Sequence, residues 1–262
     1  MSIEIHPSTV VSSEVEIGED VKIGPQCSLE GCITIGAGTR IAGHNYLRGP
    51  LVIGERNRIY PFVCLGFEPQ DFKFDPESPC AGLRIGDDNI LREQVTIHRS
   101  TSEEVPTVVG DRNMFMVGVH VAHDCTVGSQ CVFANNVSLA GHVRVDDQVT
   151  IGGGSVVGQW MRVGRLAFIG GGIGIPGHFP PFMMGRRIGT VSGINAIGMR
   201  RAGFGQVELD HARWVYRVVF CENNGRPQIL ETLAARASVS MVVHETLDFL
   251  REIKGRLCRR EE

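Results

Sequence analysis

Two imidazoles and a carboxylate, His120, His123 and Asp124, fall within five residues of one another in the stretch Gly118–Cys125. An imidazole near its ordinary pKa can take a proton from a hydroxyl, and a neighbouring carboxylate can orient the ring. Gly141 lies 18 residues beyond His123, Gln159 lies 18 beyond that, and His142 follows Gly141. If the chain stacks with an 18-residue period, a base, a bare backbone position and an amide form one outward-facing column. A backbone N–H with no side chain in the way can approach a developing oxyanion. A base beside an oxyanion donor suffices for direct acyl transfer to a hydroxyl, with no covalent intermediate.

The scaffold that would create this column is visible as a repeat. An aliphatic residue returns at every sixth position from Ile5 through Val11, Ile17, Ile23, Leu29, Ile35, Ile41, Leu47, Ile53, Ile59 and Leu65. It resumes at Ile85, Leu91 and Ile97, and again from Val109 through Phe115, Val121, Val127, Phe133, Leu139 and onward to Ile175. A period of six is a multiple of the strand period and matches no helix, so the aliphatic and the small or Asn residue four places on share the inward face. Short strands of this kind form a parallel β-helix, with three hexads to a coil and coils about 4.8 Å apart. Thirty-three glycines and an aromatic content of 6% fit such narrow coils. Glycines such as Gly18, Gly24, Gly36 and Gly54 are expected at corners that require positive φ.

The repeat breaks twice. Residues 66–83, whose first part holds three prolines, should leave the coil as an excursion loop carrying Asp71 and Lys73, and a second interruption runs from Ser100 to Thr107. Phe179-Pro-Pro181 is expected to end the solenoid, assigned to residues 1–190. Helical spacing in residues 191–262, such as Trp214, Val218 and Cys221, predicts a small helical domain capping one end.

A formal charge of −3 gives no basic excess for nucleic acid or a membrane surface, and no apolar run approaches the length of a membrane span. A cytoplasmic location without membrane insertion is expected. The eight cysteines lack Cys-x-x-Cys or zinc-finger spacing, and all are read as small buried hydrophobes. Two other readings of the histidines stand beside acyl transfer. One is a zinc site in which His98, His120 and His123 converge across an interface between subunits, as in the three-histidine zinc hydratases on this type of scaffold. The other is a catalytically silent scaffold that binds a partner through its helical end.

Val95-Thr-Ile-His-Arg99, Val121-Ala-His-Asp-Cys-Thr-Val-Gly128, Ala134-Asn-Asn136, Leu139-Ala-Gly-His142, Ile194-Asn195 and Arg200-Arg-Ala-Gly-Phe204 closely resemble the UDP-N-acetylglucosamine acyltransferases that start lipid A synthesis, in the family's order and over nearly the whole chain. The resemblance implies a mainly β fold, a left-handed parallel β-helix with a small C-terminal α-helical domain, assembled as a homotrimer with active sites between neighbouring solenoids. It implies transfer of an (R)-3-hydroxyacyl group from acyl carrier protein to the glucosamine 3-hydroxyl of UDP-N-acetylglucosamine, with no metal or other cofactor. Carried over by position, His123 is the general base, Asp124 orients it and the Gly141 amide is the oxyanion donor. His120, His142 and Gln159 line the cleft, Asp71 and Lys73 hold sugar and donor, and Asn195 and Arg201 contact the uridine diphosphate. Gly171 stands where the family sets acyl length and implies a long donor chain. Gly158, Ile197 and Ala202 depart from the family pattern by replacing a histidine, a glutamate and an arginine. They leave open a 3-amino sugar as acceptor, and an acetyl-CoA-dependent transferase is the remaining enzymatic alternative.

Overall fold

The computed structural model describes residues 2–222 and 224–261. Residues 4–194 form a parallel β-solenoid whose three faces are sheets of eleven, nine and eight short strands. The first sheet runs from Glu4–Ile5 to Gly193–Ile194, the second from Val10–Val11 to Gly174–Ile175, and the third from Val15–Ile17 to Arg162–Val163. Register advances by 18 residues per coil, as in His120 to Ser138 to Val156. The two interruptions of the hexads lengthen that step: Arg58 pairs with Ile90 and Ile90 with Met114. The fold class is the one the sequence predicts.

The interior is filled by the hexad aliphatics, buried from Ile23 to Ile175, with Phe115 stacked on Phe133 at 4.9 Å. One interior column is polar. Asn57 accepts from the Asn89 amide, Asn89 from the Asn113 amide, and Asn113 from the Cys131 amide while donating to Gly128 O at 2.9 Å. These bonds satisfy amides that a bent strand leaves inside the coil, which is why asparagine is tolerated there.

Two expectations are corrected here. The glycine after each aliphatic is not the positive-φ residue; that role falls two places later, to Asp20, Arg56, Asp88, Arg112, Asp124, Gln130, His142 and others. Gly36 and Gly54 are required because a Cβ would come within 2.5 Å of the Gly54 carbonyl carbon and 2.7 Å of the Gly86 carbonyl oxygen in the next coil. The solenoid also continues past Phe179-Pro-Pro181. Met183–Gly185 adds a parallel strand to the first sheet, and Gly193–Ile194 pairs antiparallel to it.

Among the described residues four α-helices follow: α1 (Ala196–Arg201), α2 (Gln206–Phe220), α3 (Arg226–Ala234) and α4 (Met241–Glu252). They pack on one another through Leu209, Ala212, Val215, Val218, Leu233, Val242, Val243 and Leu247. Helix α4 lies against the end of the third sheet, the shortest of the three. There Arg162 stacks over Phe249 at 4.8 Å and pairs with Glu252 at 2.7 Å, while Arg165 pairs with Glu245 at 2.7 Å. The chain then returns to the solenoid as Arg259–Arg260, pairing with Thr190–Val191.

Candidate active site

All the irregular features gather at one edge of the prism, between the second and third sheets. The excursion loop leaves after Cys64–Leu65 and returns at Leu83–Ile85. Gly66 and Gly82 close it, at φ 79° and 80°, and a Cβ on either would lie about 2 Å from a carbonyl oxygen of the preceding coil. No other residue fits either constraint. The loop root is tied down by Arg99, 7% exposed, whose guanidinium donates to Pro76 O at 2.9 Å, and by His98, whose Nδ1 meets Glu68 O at 2.5 Å. Asp71 and Lys73 lie farther out, exposed, with the Lys73 amide donating to Asp71 Oδ1 at 2.9 Å.

The second interruption delivers two threonines to the octet. Thr101 donates its amide to Asp124 Oδ1 at 2.9 Å and its hydroxyl to Oδ2 at 2.8 Å, and Thr107 Oγ1 accepts the Asp124 amide at 2.9 Å. Asp124 Oδ2 also accepts from His123 Nδ1 at 2.7 Å. Burial would raise the Asp124 pKa, but the His123 and Thr101 bonds with nearby His142 outweigh it and hold the carboxyl below its usual range. An ionised Asp124 makes His123 Nδ1 the donor, so Nε2 carries the lone pair.

That lone pair faces Gly141. A Cβ there would sit 2.7 Å from His123 Cε1, 2.8 Å from Nε2 and 3.4 Å from Gln159 Nε2. The structure thus brings His123, Gly141 and Gln159 together. His123 is only 9% exposed, less open than an outward column suggests. Among the described residues the Gly141 N–H donates to no other group.

His142 belongs to the adjacent column. Its ring stands edge-on to His123 at 5.2 Å, with Nε2 3.6 Å from Asp124 Oδ2, and it stacks on Trp160. His120 lies one strand back, its Nδ1 2.8 Å from Thr96 Oγ1, edge-on to His98. Burial, reinforced by His98 and His123, pushes His120 down to about 4, and burial also lowers His98 and His142. The imidazoles around His123 are therefore neutral at pH 7.

Sequence reasoning missed Thr101, Thr107, Arg99 and Trp160. The one signal was the break in the hexads just before the octet. Asn195 is spoken for: its Oδ1 caps α1 through Gly198 N at 3.0 Å and its Nδ2 donates to Leu166 O at 2.9 Å. Arg201 is exposed at the end of α1, and Gly171 is exposed at a corner where a Cβ would meet Gly153 O at 3.2 Å. Within one chain the zinc trio His98, His120 and His123 is not the group whose ligand atoms converge. Among the described residues, the ligand atoms of His123, Asp124 and His142 come within 4.8 Å of one another. His123 and Asp124 already spend their facing atoms on a mutual hydrogen bond.

No cysteine is in a disulfide, and burial pushes Cys125 and Cys131 up to about 12. Cys32 and Cys221 are exposed, against the expectation that all are buried. Among the described residues no helix is long and apolar enough to cross a membrane.

Residues 179–258 match the family described as "Udp N-acetylglucosamine O-acyltransferase; Domain 2", and residues 14–49 match "Bacterial transferase hexapeptide (six repeats)". The acyl-[acyl-carrier-protein]--UDP-N-acetylglucosamine O-acyltransferase of Thermodesulfovibrio yellowstonii is 36% identical over 98% of this chain and 99% of its own. Its counterpart from Halorhodospira halophila is 38% identical over 97% and 99%. The crystal structure of the Acinetobacter baumannii enzyme superposes with a TM-score of 0.92 at 33% identity, covering 97% of this chain and 99% of that one. With this identity along its full length, the chain belongs to the acyl-[acyl-carrier-protein]--UDP-N-acetylglucosamine O-acyltransferase family.

Proposed function

We propose that the protein moves an (R)-3-hydroxyacyl group from the thioester of acyl carrier protein to the 3-hydroxyl of the glucosamine ring in UDP-N-acetylglucosamine, the first step of lipid A synthesis, with His123 as general base. The observation that carries this reading is the His123 ring, fixed through Nδ1 by an ionised Asp124 and presenting Nε2 to the space over Gly141. A sugar hydroxyl donating to Nε2 gains nucleophilicity as its proton moves to the imidazole, and its oxygen bonds to the thioester carbonyl carbon. The Gly141 N–H holds the oxyanion, and Asp124 stabilises the imidazolium. The C–S bond then breaks, and the carrier thiolate recovers the proton from His123. The step needs no metal or redox cofactor, because the only bonds exchanged are C–O, C–S and those to one proton.

The remaining assignments follow by position. His120, His142 and Gln159 line the cleft. The exposed Gly171 corner leaves room for a long acyl chain, and Arg201 faces the diphosphate. Asn195, whose amide is used internally, serves by fixing the N-terminus of the helix that carries Arg201. Among the described residues Asp71 and Lys73 make no hydrogen bond or ion pair with a histidine within one chain, which fits a cleft completed by a second subunit. A homotrimer is supported by the outer face of the first sheet, which changes from Lys22, Arg40 and Arg58 to the mostly apolar Ile90, Met114, Val132, Thr150 and Phe168 in the later coils. Such an apolar face favours burial in an assembly. The location is cytoplasmic, where a carrier-protein thioester and a nucleotide sugar meet.

The test is a panel of (R)-3-hydroxyacyl carrier proteins and acetyl-CoA offered with UDP-N-acetylglucosamine and its 3-amino analogue. Efficient transfer from a long hydroxyacyl carrier protein to the 3-hydroxy sugar supports the reading. A preference for the 3-amino sugar would correct the acceptor and give meaning to Gly158, Ile197 and Ala202. A preference for acetyl-CoA, or inactivity with every pair, would overturn the reading.

A further inference from the structure

The left-handed corner position next to His123 is occupied in three successive coils by Asp124, His142 and Trp160, at φ 59°, 60° and 67°. Asp and His enter this region more readily than a bulky residue does. Holding an indole there costs free energy that the surrounding structure must offset. Core burial does not offset that cost, because Trp160 is 62% exposed. Glycine takes the equivalent corner at Gly154 and Gly172, whereas Phe62, at φ 64° and 55% exposed, is held there as Trp160 is and stacks on His44.

The indole does make one close contact. It lies parallel on the His142 ring, with centroids 3.7 Å apart and planes at 4°. His142 has no other fixed partner: among the described residues its ring nitrogens make no hydrogen bond, and 3.6 Å to Asp124 Oδ2 is too long for one. The ring nevertheless stands at 87° to His123. The stack therefore holds His142 at this angle and at this distance from the carboxylate.

We propose that Trp160 is a positioning residue for the acyl transfer, clamping His142 edge-on to His123 so that Asp124 Oδ2 stays committed to the base. This rests on His123 being that base. Without the indole, the imidazole can turn into hydrogen-bond range of Asp124 and compete with His123 Nδ1 for the same oxygen. Asp124 and His123 from the preceding coil and the Trp160 ring from the following one are the groups that face it. Water regained on the uncovered face also eases protonation of His142, which turns a neutral neighbour into a cationic competitor as pH falls.

The protein has two tryptophans, so Trp214→Phe leaves Trp160 as the sole indole emitter. A stacked imidazolium quenches indole emission, and the fluorescence of W214F should fall on acidification with a change that disappears in W214F/H142Q. For activity, Trp160→Gly is the informative variant, because glycine takes a φ of 67° without strain and the fold should hold. We expect kcat to drop about 10- to 100-fold, as for a misplaced catalytic group, with KM little changed and the acid limb of kcat moved to higher pH. Trp160→Phe, which keeps a ring over His142, should restore most of the rate and the wild-type pH profile. Trp160 emission indifferent to pH or to H142Q, or W160G with wild-type kcat and pH profile, would overturn the proposal. Equal loss in W160F and W160G would do so too. The fluorescence arm needs no substrate, so failure of the His123 assignment shows separately, as full activity in a His123 variant.

Discussion

Between the third and first sheets the coils are closed in the same way from one to the next. The Glu55 amide donates to Asp87, the Asp87 amide to Asp111, the Asp111 amide to Ser129 and the Ser129 amide to Asp147, at 2.8 to 3.0 Å, and the asparagine ladder runs just inside. Between the second and third sheets, among the described residues, no such bond repeats from coil to coil. That edge instead releases both excursions and carries His123, Asp124, Gly141, His142 and Trp160. The first edge spends its polar side chains on the backbone of the next coil. The second gathers its polar groups around the one carboxylate of Asp124, which takes both Thr101 and His123 Nδ1, and among the described residues leaves His123 Nε2 without a hydrogen-bond partner. Stacking is secured at the edge that releases no insertion, and the histidine cluster is built at the edge that releases both.

Substitutions at the two edges should separate these roles. At the irregular edge, Gly141→Ala places a methyl 2.7 to 2.8 Å from the His123 ring. It should lower kcat about 100-fold in steady-state assays, with an unchanged melting temperature. At the regular edge, Asn113→Ala strands the Cys131 and Gly128 backbone groups it now satisfies. It should cost about 1–3 kcal/mol in denaturant unfolding while kcat stays within a few-fold of wild type. Activity loss without destabilisation in Asn113→Ala would erase the distinction.

Thr101→Val sharpens the comparison, because it removes one bond to Asp124 Oδ2 and keeps the side-chain shape. The expected loss is roughly tenfold in kcat, in line with about 1.5 kcal/mol for a hydrogen bond to a charged group. The smallest effect is on acid stability. His120 titrates near 4 when folded, against 6.5 for an ordinary imidazole. The unfolded chain therefore takes up that proton first, and stability falls as pH drops from about 6.5 towards 4. His120→Gln should flatten the melting temperature over that window. Asp124 acts lower, its stabilisation being lost as pH falls through and below the ordinary carboxylate range.

The contrast also explains what the sequence reveals. Hexad spacing alone predicts which aliphatics face inward and that His123, Gly141 and Gln159 share a column, because an 18-residue coil turns sequence distance into stacking. Wherever residues are inserted, the rule loses its footing. Thr101 reaches Asp124 from a step of 23 residues, and no periodicity predicts it. Trp160 is in register with His142, yet the pattern does not tell that an indole would accept a positive φ to lie on it. The glycines were legible as a repeat but not in their cause, since close approach between coils and freedom of φ leave the same mark in a sequence. Asn195 shows the limit of transfer by position, because its amide is consumed by a helix cap that only the fold reveals.

The most direct test of the account is the single-turnover rate of transfer from an (R)-3-hydroxyacyl carrier protein to UDP-N-acetylglucosamine, compared between wild type and His123→Ala. The account predicts a loss of about 10²- to 10⁴-fold, the range for removing a general base, in a variant that melts like the parent. A His123→Ala protein that transfers the acyl group within a few-fold of the wild-type rate would contradict it.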